Sequence, residues 1–152
     1  MDAMLVLNEA AAILFARTSI LIQVERPIWV DDAGLLDIRP GSGTPPTGAR
    51  HHTIFSRTIT EGKSYAQGVS ARFGAGLASA VSEPSLFDWF DRANVLAHEW
   101  CHTLNLSHSI LRPNNLMSWN PYTRASFLEP DQILKARRAA RMNWVLNEGL
   151  AP

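Results

Sequence analysis

Three residues in the middle of the chain have the types and spacing of a metal-dependent hydrolytic site. His98, Glu99 and His102 form the pattern H-E-x-x-H. On an α-helix, residues four positions apart lie on one face about one turn from each other, so both imidazoles can bind a single metal ion. The glutamate beside the first histidine can take a proton from a water molecule at the metal without binding the metal itself. The pattern therefore predicts a helix that carries a zinc site and a general base.

A third histidine, His108, completes the ligand set that catalytic zinc commonly has, which is three protein groups and an open position for water. It lies six residues after His102, where a continuing helix would point it away from the first two ligands. The chain must therefore turn between them. Asn105 suits this turn because asparagine adopts the left-handed conformation at a helix end more readily than most residues. We expect a helix that ends near Leu104 and a positive φ at Asn105.

The segment from His98 to His108 resembles the long zinc signature of the metzincin metalloproteases, H-E-x-x-H-x-x-G-x-x-H, which is followed by a turn that contains methionine. The three histidines and the glutamate match that signature, whereas Asn105 stands at the position of its glycine. The resemblance extends over residues 95 to 122.

Among the metzincins, the matrixin branch is the most similar. Ser109 follows the third histidine as in that branch, and Leu116-Met117 corresponds to its methionine turn. The proline and tyrosine that belong to the matrixin turn are displaced here to Pro121 and Tyr122.

This resemblance implies an α+β fold of the zincin type, with a twisted mixed β-sheet, an active-site helix under it and a small C-terminal subdomain with one helix. It also implies a single catalytic domain over residues 1–152. The upper subdomain would extend over about 1–105 and the lower subdomain over about 106–152.

The resemblance further implies a zinc-dependent endopeptidase, in which a metal-activated water molecule attacks the peptide bond. One catalytic Zn²⁺ ion is the implied cofactor, and a peptide or protein is the implied partner. The implied site residues are Glu99 as the general base, His98, His102 and His108 as metal ligands, Met117 as the structural floor of the Met-turn, and Trp119 and Tyr122 in the substrate pocket.

Three alternatives stay open from the sequence. The chain could be an inactive metzincin-like module that binds peptides, although Glu99 argues against this because zinc binding alone does not need that carboxylate. It could be a zinc hydrolase that acts on an amide other than a peptide. The H-E-x-x-H pattern could also be accidental in a helical protein without metal, which a metal analysis would decide.

Composition sets further limits. A chain of 152 residues suits one domain with a proper core, and its 14 basic and 14 acidic residues balance, so nothing favours nucleic acid or a membrane surface as a partner. The single cysteine, Cys101, excludes an internal disulfide and is expected to be a core residue. We expect a monomer without a signal peptide or a membrane-spanning segment.

Residue patterns predict the elements that position this site. Strong helix formers predict a helix over residues 4–18, and the apolar run after it predicts a buried strand over 19–25. Pro130 predicts the start of a C-terminal helix. Because only three residues precede the first helix, either the sheet lacks the first strand of the resembling family or the domain begins upstream. Further predicted features are short strands at 28–30 and 35–38, a loop at 39–50, strands at 51–57, 67–72 and 77–82, and a helix cap at Ser85 or Asp88.

The two segments before the zinc helix, 67–72 and 77–82, are rich in small residues. In the resembling family the last strand before the zinc helix is the sheet edge beside the cleft, which here would be 77–82. Such an edge can bind an extended peptide as an additional strand. The alternative, a loop softened by glycine, stays open.

Overall fold

The structure is a computed structural model, and it describes residues 3–22, 24, 37–38, 51–56, 58–61, 64–65, 67–73, 76–82, 89–120 and 127–147. Within these ranges the chain is α+β, as predicted, with three helices and two small sheets. The elements are α1 (Ala3–Thr18), β1 (Asp37–Ile38), β2 (His51–Ser56), β3 (Thr58–Glu61), β4 (Ser64–Tyr65), β5 (Gly68–Phe73), β6 (Gly76–Ser82), α2 (Trp89–Thr103) and α3 (Pro130–Asn147).

The larger sheet is mixed, with the strand order β2-β6-β5. Strand β6 runs parallel to β2 and antiparallel to β5. The prediction that the last strand before the zinc helix forms the sheet edge is therefore wrong for the described strands, because β6 lies in the middle and β5 at the edge. Only two residues separate β5 from β6 in the sequence, which makes them antiparallel neighbours and leaves the other side of β6 to pair with β2.

The two faces of this sheet pack against different parts of the chain. Phe55 of β2 and Val81 of β6 pack into the main core, which also contains α2. Val69 and Ala80 point to the opposite face and pack against Ile59 of β3. Successive strand residues alternate between these two sides, as the pleat of a β-strand requires. A hydrogen bond from α2 to β2, donated by the Trp100 indole Nε1 to Thr53 Oγ1 over 3.1 Å, fixes the helix to its face of the sheet.

Helix α1 confirms the helix predicted over 4–18, and one of its faces is buried against α2. It ends where Thr18 Oγ1 donates to the Leu14 carbonyl over 2.7 Å and the following Ser19 takes a φ of 58°. A positive φ is incompatible with continuing a right-handed helix, so the chain leaves the helix axis there.

The prediction of a strand over 19–25 is wrong for the residues that the structure describes. Residues 19–22 and 24 are outside any strand, and no described strand pairs with them. The apolar residues Ile20, Ile22 and Val24 pack against the main core, whereas Leu21 is exposed. Alternating burial therefore reflects packing on the core and not the backbone pairing that a strand requires.

Helix α2 is the most buried of the three helices over its described side chains, with Ala93 through Cys101 buried without interruption. Val95 and Leu96 are buried in the main core, and the predicted core position of Cys101 is confirmed. Because all sides of this segment are covered, its polar residues must find partners inside the protein.

Helix α3 begins at Pro130, as predicted. Gln132, in the first turn of the helix, reaches back so that its Oε1 accepts the Glu129 backbone N–H over 2.9 Å. Further along this helix, Arg137 Nε donates to the Thr18 carbonyl over 2.6 Å and so joins α3 to the end of α1.

Several predicted features lie outside the described residues. These are the strand at 28–30, the loop at 39–50 and the cap residues Ser85 and Asp88. Of the strand predicted at 35–38, the structure describes Asp37–Ile38 as β1. Over the described part of the chain, no helix combines the length and the apolar character needed to cross a membrane.

The buried thiol of Cys101 leads to a first prediction. Burial and, to a smaller extent, the negative charge of the Glu99 carboxylate together raise the pKa of this thiol from 9.0 to about 12. We expect a thiol reagent at pH 8 to label Cys101 only after unfolding in urea. The unfolded chain loses the thiol proton above pH 9 while the folded chain keeps it, so this group lowers stability as the pH rises from 9 towards 12.

The measurement is the urea midpoint of unfolding at pH 8 and pH 10.5, with Cys101→Ala as the control that lacks the thiol. The wild-type midpoint should fall more than the control midpoint. Rapid labelling of the native protein would contradict the buried position.

Candidate metal centre

Helix α2 presents His98 and His102 on one face, and main-chain carbonyls orient both rings. His98 is buried, and its Nδ1–H donates to the Leu116 carbonyl over 2.7 Å. His102 is partly buried, and its Nδ1–H donates to the Leu106 carbonyl over 2.8 Å. Each Nε2 is thereby held toward the same point in front of the helix. Partners of this kind fix the tautomer and the orientation of metal-binding histidines.

The turn that ends α2 is centred on Asn105, whose φ is 65°. This confirms the predicted left-handed conformation. The Asn105 N–H donates to the His102 carbonyl over 2.9 Å, and the Leu106 N–H donates to the Cys101 carbonyl over 3.0 Å. This pair of bonds is a Schellman motif, in which the residue after the helix cap is left-handed. The buried side chains of Leu106 and Cys101 belong to the same core, which provides the apolar contact that usually accompanies the motif.

The Schellman motif does two things for the site. It turns the chain so that His108 comes back toward the helix, and it places the Leu106 carbonyl where His102 can donate to it. One local turn therefore positions the third histidine and orients the second.

The three histidines converge at their Nε2 atoms. The separations are 3.1 Å between His98 and His102, 3.1 Å between His102 and His108, and 3.2 Å between His98 and His108. A zinc ion about 2.0–2.1 Å from each of three tetrahedrally arranged nitrogens requires separations of about 3.3–3.4 Å. The observed triangle is within a few tenths of an ångström of that requirement. The cluster could therefore hold a metal ion, and its size is compatible with zinc.

The protonation of these rings favours a cation between them. Because a carbonyl oxygen only accepts hydrogen bonds, the Nδ1 atoms of His98 and His102 must carry protons. In the neutral imidazole the Nε2 atom then carries a lone pair. Two such lone pairs face each other at 3.1 Å, which is repulsive unless a positive charge lies between them. Imidazole ligands suit zinc, copper, iron and nickel.

Glu99 is buried beside His98 and faces the edge strand β5. Its main-chain carbonyl accepts a hydrogen bond from Ser70 Oγ of β5 over 2.6 Å. Its side chain lies against Gly68, where an added Cβ would be 2.7 Å from Glu99 Oε1. The carboxylate is thus held between α2 and β5.

Met117, the residue predicted for the Met-turn, lies in a tight turn over residues 115–118. The Ser118 N–H donates to the Asn115 carbonyl over 2.9 Å, and Met117 is fully buried. The Met117 carbonyl accepts the Ser109 N–H over 2.7 Å, which joins the turn to the segment just after the third histidine. The turn also supplies the Leu116 carbonyl to His98. It therefore supports the cluster through the carbonyls of Leu116 and Met117.

Asn115 and Gln132 hold this turn in place, and the sequence reasoning missed both. Asn115 is fully buried, its Oδ1 accepts the Met117 N–H over 2.7 Å, and its Nδ2 donates to Gln132 Oε1 over 2.8 Å. An asparagine two residues before the methionine is typical of a side chain that closes a turn. That signal was available in the sequence. No sequence signal identifies the carbonyls of Leu106 and Leu116, because every residue has one.

The two residues predicted for the substrate pocket have different outcomes. Trp119 directly follows the Met-turn and is 65% exposed. An isolated β-bridge between Ser109 and Ser118 places it next to the segment that carries His108. Tyr122 lies outside the described residues. The pairing of these two side chains in one pocket therefore stays a prediction.

Comparison of the chain with known protein families, with curated proteins and with solved structures finds no match.

The turn at Asn105 leads to a second prediction. Asn105→Gly should keep metal binding, because glycine adopts a positive φ without steric cost. Asn105→Val should weaken metal binding and lower the free energy of unfolding by about 1–2 kcal/mol, because a β-branched residue clashes in the left-handed conformation. Metal titration and urea unfolding measure the two effects.

The matched control is Asn114→Val, which makes the same change at an exposed residue that is not among those with a positive φ. It should have little effect on metal affinity. Unchanged affinity in Asn105→Val would show that the left-handed turn does not position His108.

Proposed function

We propose that the chain is a zinc-dependent hydrolase of the metzincin type that cleaves peptide bonds. The observation that carries this proposal is the convergence of three histidine Nε2 atoms within 3.1–3.2 Å, with a buried glutamate beside the first of them. The donor set consists of three neutral nitrogens, which matches catalytic zinc sites that keep one position open.

Zinc bound at this site would polarise the substrate carbonyl and lower the pKa of a water molecule toward neutrality. The residues of the chain have separate tasks. His98, His102 and His108 hold the ion, and the carbonyls of Leu106 and Leu116 keep two of the rings in the required tautomer. Glu99 accepts the proton of the attacking water and passes it to the leaving nitrogen.

The surroundings of the site support the metzincin type. The helix that carries the first two ligands covers one face of a mixed sheet, a left-handed residue follows it, and a buried methionine turn lies beside the third ligand. This combination of features is what the sequence resemblance implies. The coarser α+β class follows from the described elements alone, so the zincin architecture stays part of the proposal.

A peptide is the substrate class that the sheet favours. Strand β5 is paired on one side by β6 within the described strands, and it is the strand that contacts Glu99. An extended peptide that pairs with the other side of β5 would pass close to the general base. A sheet edge binds main-chain groups, which peptides have and most other amides lack.

The metal assignment gives a third prediction. Wild-type protein should bind one zinc ion, and His108→Ala should weaken the binding by more than the roughly 10–100-fold that loss of an outer-shell partner costs, because a direct ligand is removed. Elemental analysis after dialysis and competition with a chelator measure stoichiometry and affinity. His52→Ala is a control that removes an imidazole in β2, and it should bind zinc as the wild type does. Equal zinc content in His108→Ala would remove the third ligand from the site.

The role of Glu99 gives a fourth prediction. Glu99→Ala and Glu99→Gln should lower kcat by at least about 10²–10⁴-fold, which is the usual contribution of a general base. Zinc content should stay near that of the wild type, since the carboxylate handles protons and does not bind the metal. A peptide library analysed by mass spectrometry gives the cleavage products, and Glu9→Gln in α1 is the matched control that should leave kcat unchanged.

Two outcomes would redirect the proposal. Zinc binding without cleavage of any peptide by the wild type would favour the peptide-binding module or a hydrolase of non-peptide amides. Loss of zinc in Glu99→Ala would instead assign Glu99 a ligating or structural role.

A further inference from the structure

We propose that Gly68 is a positioning residue for Glu99, which rests on the proposed role of Glu99 as the general base. The absence of a side chain at Gly68 lets β5 approach α2 closely enough that the strand backbone fixes the position of the Glu99 carboxylate. The inference concerns where that carboxylate lies, and so it adds a determinant of catalysis outside the H-E-x-x-H segment.

The space at Gly68 is filled by its neighbours. An ideal Cβ added there would be 2.7 Å from both Cγ and Oε1 of Glu99 and 2.9 Å from Cγ1 of Val95. Carbon atoms in favourable contact are about 3.5–4.0 Å apart. Any side chain at this position would therefore have to displace Glu99, Val95 or the strand itself.

The backbone conformation at position 68 does not require a glycine. The φ of Gly68 lies outside the left-handed region, and Gly68 pairs in regular register with Val81 of β6. Glycine weakens the interior of a strand because it has no side chain to pack and loses more conformational freedom on folding. Close approach of another group is the remaining common reason for a glycine in a strand, and here that group is Glu99.

The backbones of β5 and α2 are held together beside this contact. Ser70, two residues further along β5 and on the same strand face, donates to the Glu99 main-chain carbonyl over 2.6 Å. Its Oγ also lies 3.0 Å from the Oγ of the fully buried Ser79 of β6. The strand is thus attached to the backbone of the same residue whose side chain Gly68 faces. An alanine at position 68 would meet a fixed helix and a fixed strand, so the Glu99 side chain is the part that would move.

The displacement should affect the chemical step more than substrate binding. A shift of about 1 Å in a catalytic group can lower the rate by about 10²-fold. The three atoms nearest to the added methyl group belong to Glu99 and Val95, and none of them belongs to a metal ligand. Gly68→Ala should therefore lower kcat strongly and leave KM and zinc content close to the wild-type values.

A general loss of stability would not produce this pattern, and one control separates the two effects. Ile54 of β2 packs on the opposite face of the sheet against Ile59 and Ala80. Ile54→Ala removes apolar packing from the same sheet, away from β5, without changing the space around Glu99. It should lower the urea midpoint of unfolding while leaving kcat within about twofold, in contrast to the roughly 10²-fold loss expected for Gly68→Ala.

The decisive experiment is a double-mutant cycle on zinc-loaded protein with Gly68→Ala, Glu99→Ala and the double variant. Both kcat for a cleaved peptide and the urea midpoint are measured. Because the clash of the added Cβ with Glu99 is absent in Glu99→Ala, the fall in midpoint caused by Gly68→Ala should be less than half as large in that background. The contact with Val95 is present in both backgrounds and cancels.

Each result decides the inference. A wild-type kcat in Gly68→Ala, or an equal fall in midpoint in both backgrounds, would overturn it. If Gly68→Ala does not fold, adding Val95→Ala makes room for the methyl group; that double variant should fold and bind zinc but keep the low kcat, and a restored kcat would overturn the inference. If the wild type cleaves no peptide, the proposed function fails, whereas the midpoint cycle still decides whether Gly68 sets the position of Glu99.

Discussion

The structure around the candidate centre depends on one constraint, the convergence of three imidazole Nε2 atoms to within 3.1–3.2 Å of one another. Two main-chain carbonyls force this arrangement, because they fix the Nδ1 protons of His98 and His102. A cation between these rings would make favourable contacts with the Nε2 lone pairs of His98 and His102. Its binding energy would stabilise the folded state directly, since the preformed site does not exist in the unfolded chain.

The carbonyls themselves come from two turns that neighbouring parts of the structure hold in place. The Leu106 carbonyl belongs to the Schellman motif around Asn105, and the Leu116 carbonyl belongs to the turn that buried Asn115 closes. Asn115 in turn contacts Gln132 at the start of α3. The C-terminal helix therefore supports the histidine cluster through a chain of hydrogen bonds without contributing a histidine to it. Buried networks of this type fix one geometry because a broken member would leave polar groups unpaired.

Some sequence expectations failed where tertiary pairing decides the outcome. The apolar run after α1 was predicted to be a strand, and its side chains do pack on the core, but no described strand pairs with it. Burial is encoded by the side chains, whereas pairing depends on which backbone lies alongside. The prediction of the edge strand was wrong for the same reason. From the sequence, either β5 or β6 could have been the edge strand. Strand β6 pairs with β5 on one side and with β2 on the other, so β5 is the edge strand.

The sequence by itself determined the grouping of the three histidines and the local turns. The histidine spacing, the left-handed residue Asn105 and the start of α3 at Pro130 depend on residue types that act over one or two helical turns, where intrinsic preferences decide. Only the tertiary structure decided which carbonyls orient the imidazoles, that Asn115 and Gln132 hold the turn that contains Met117, and that Gly68 lies against Glu99. These contacts join residues distant in the chain. Residue type alone does not distinguish one carbonyl or one glycine from another. The packing of α2 against the sheet and against the two turns decides which carbonyls bind the imidazoles and which glycine contacts Glu99.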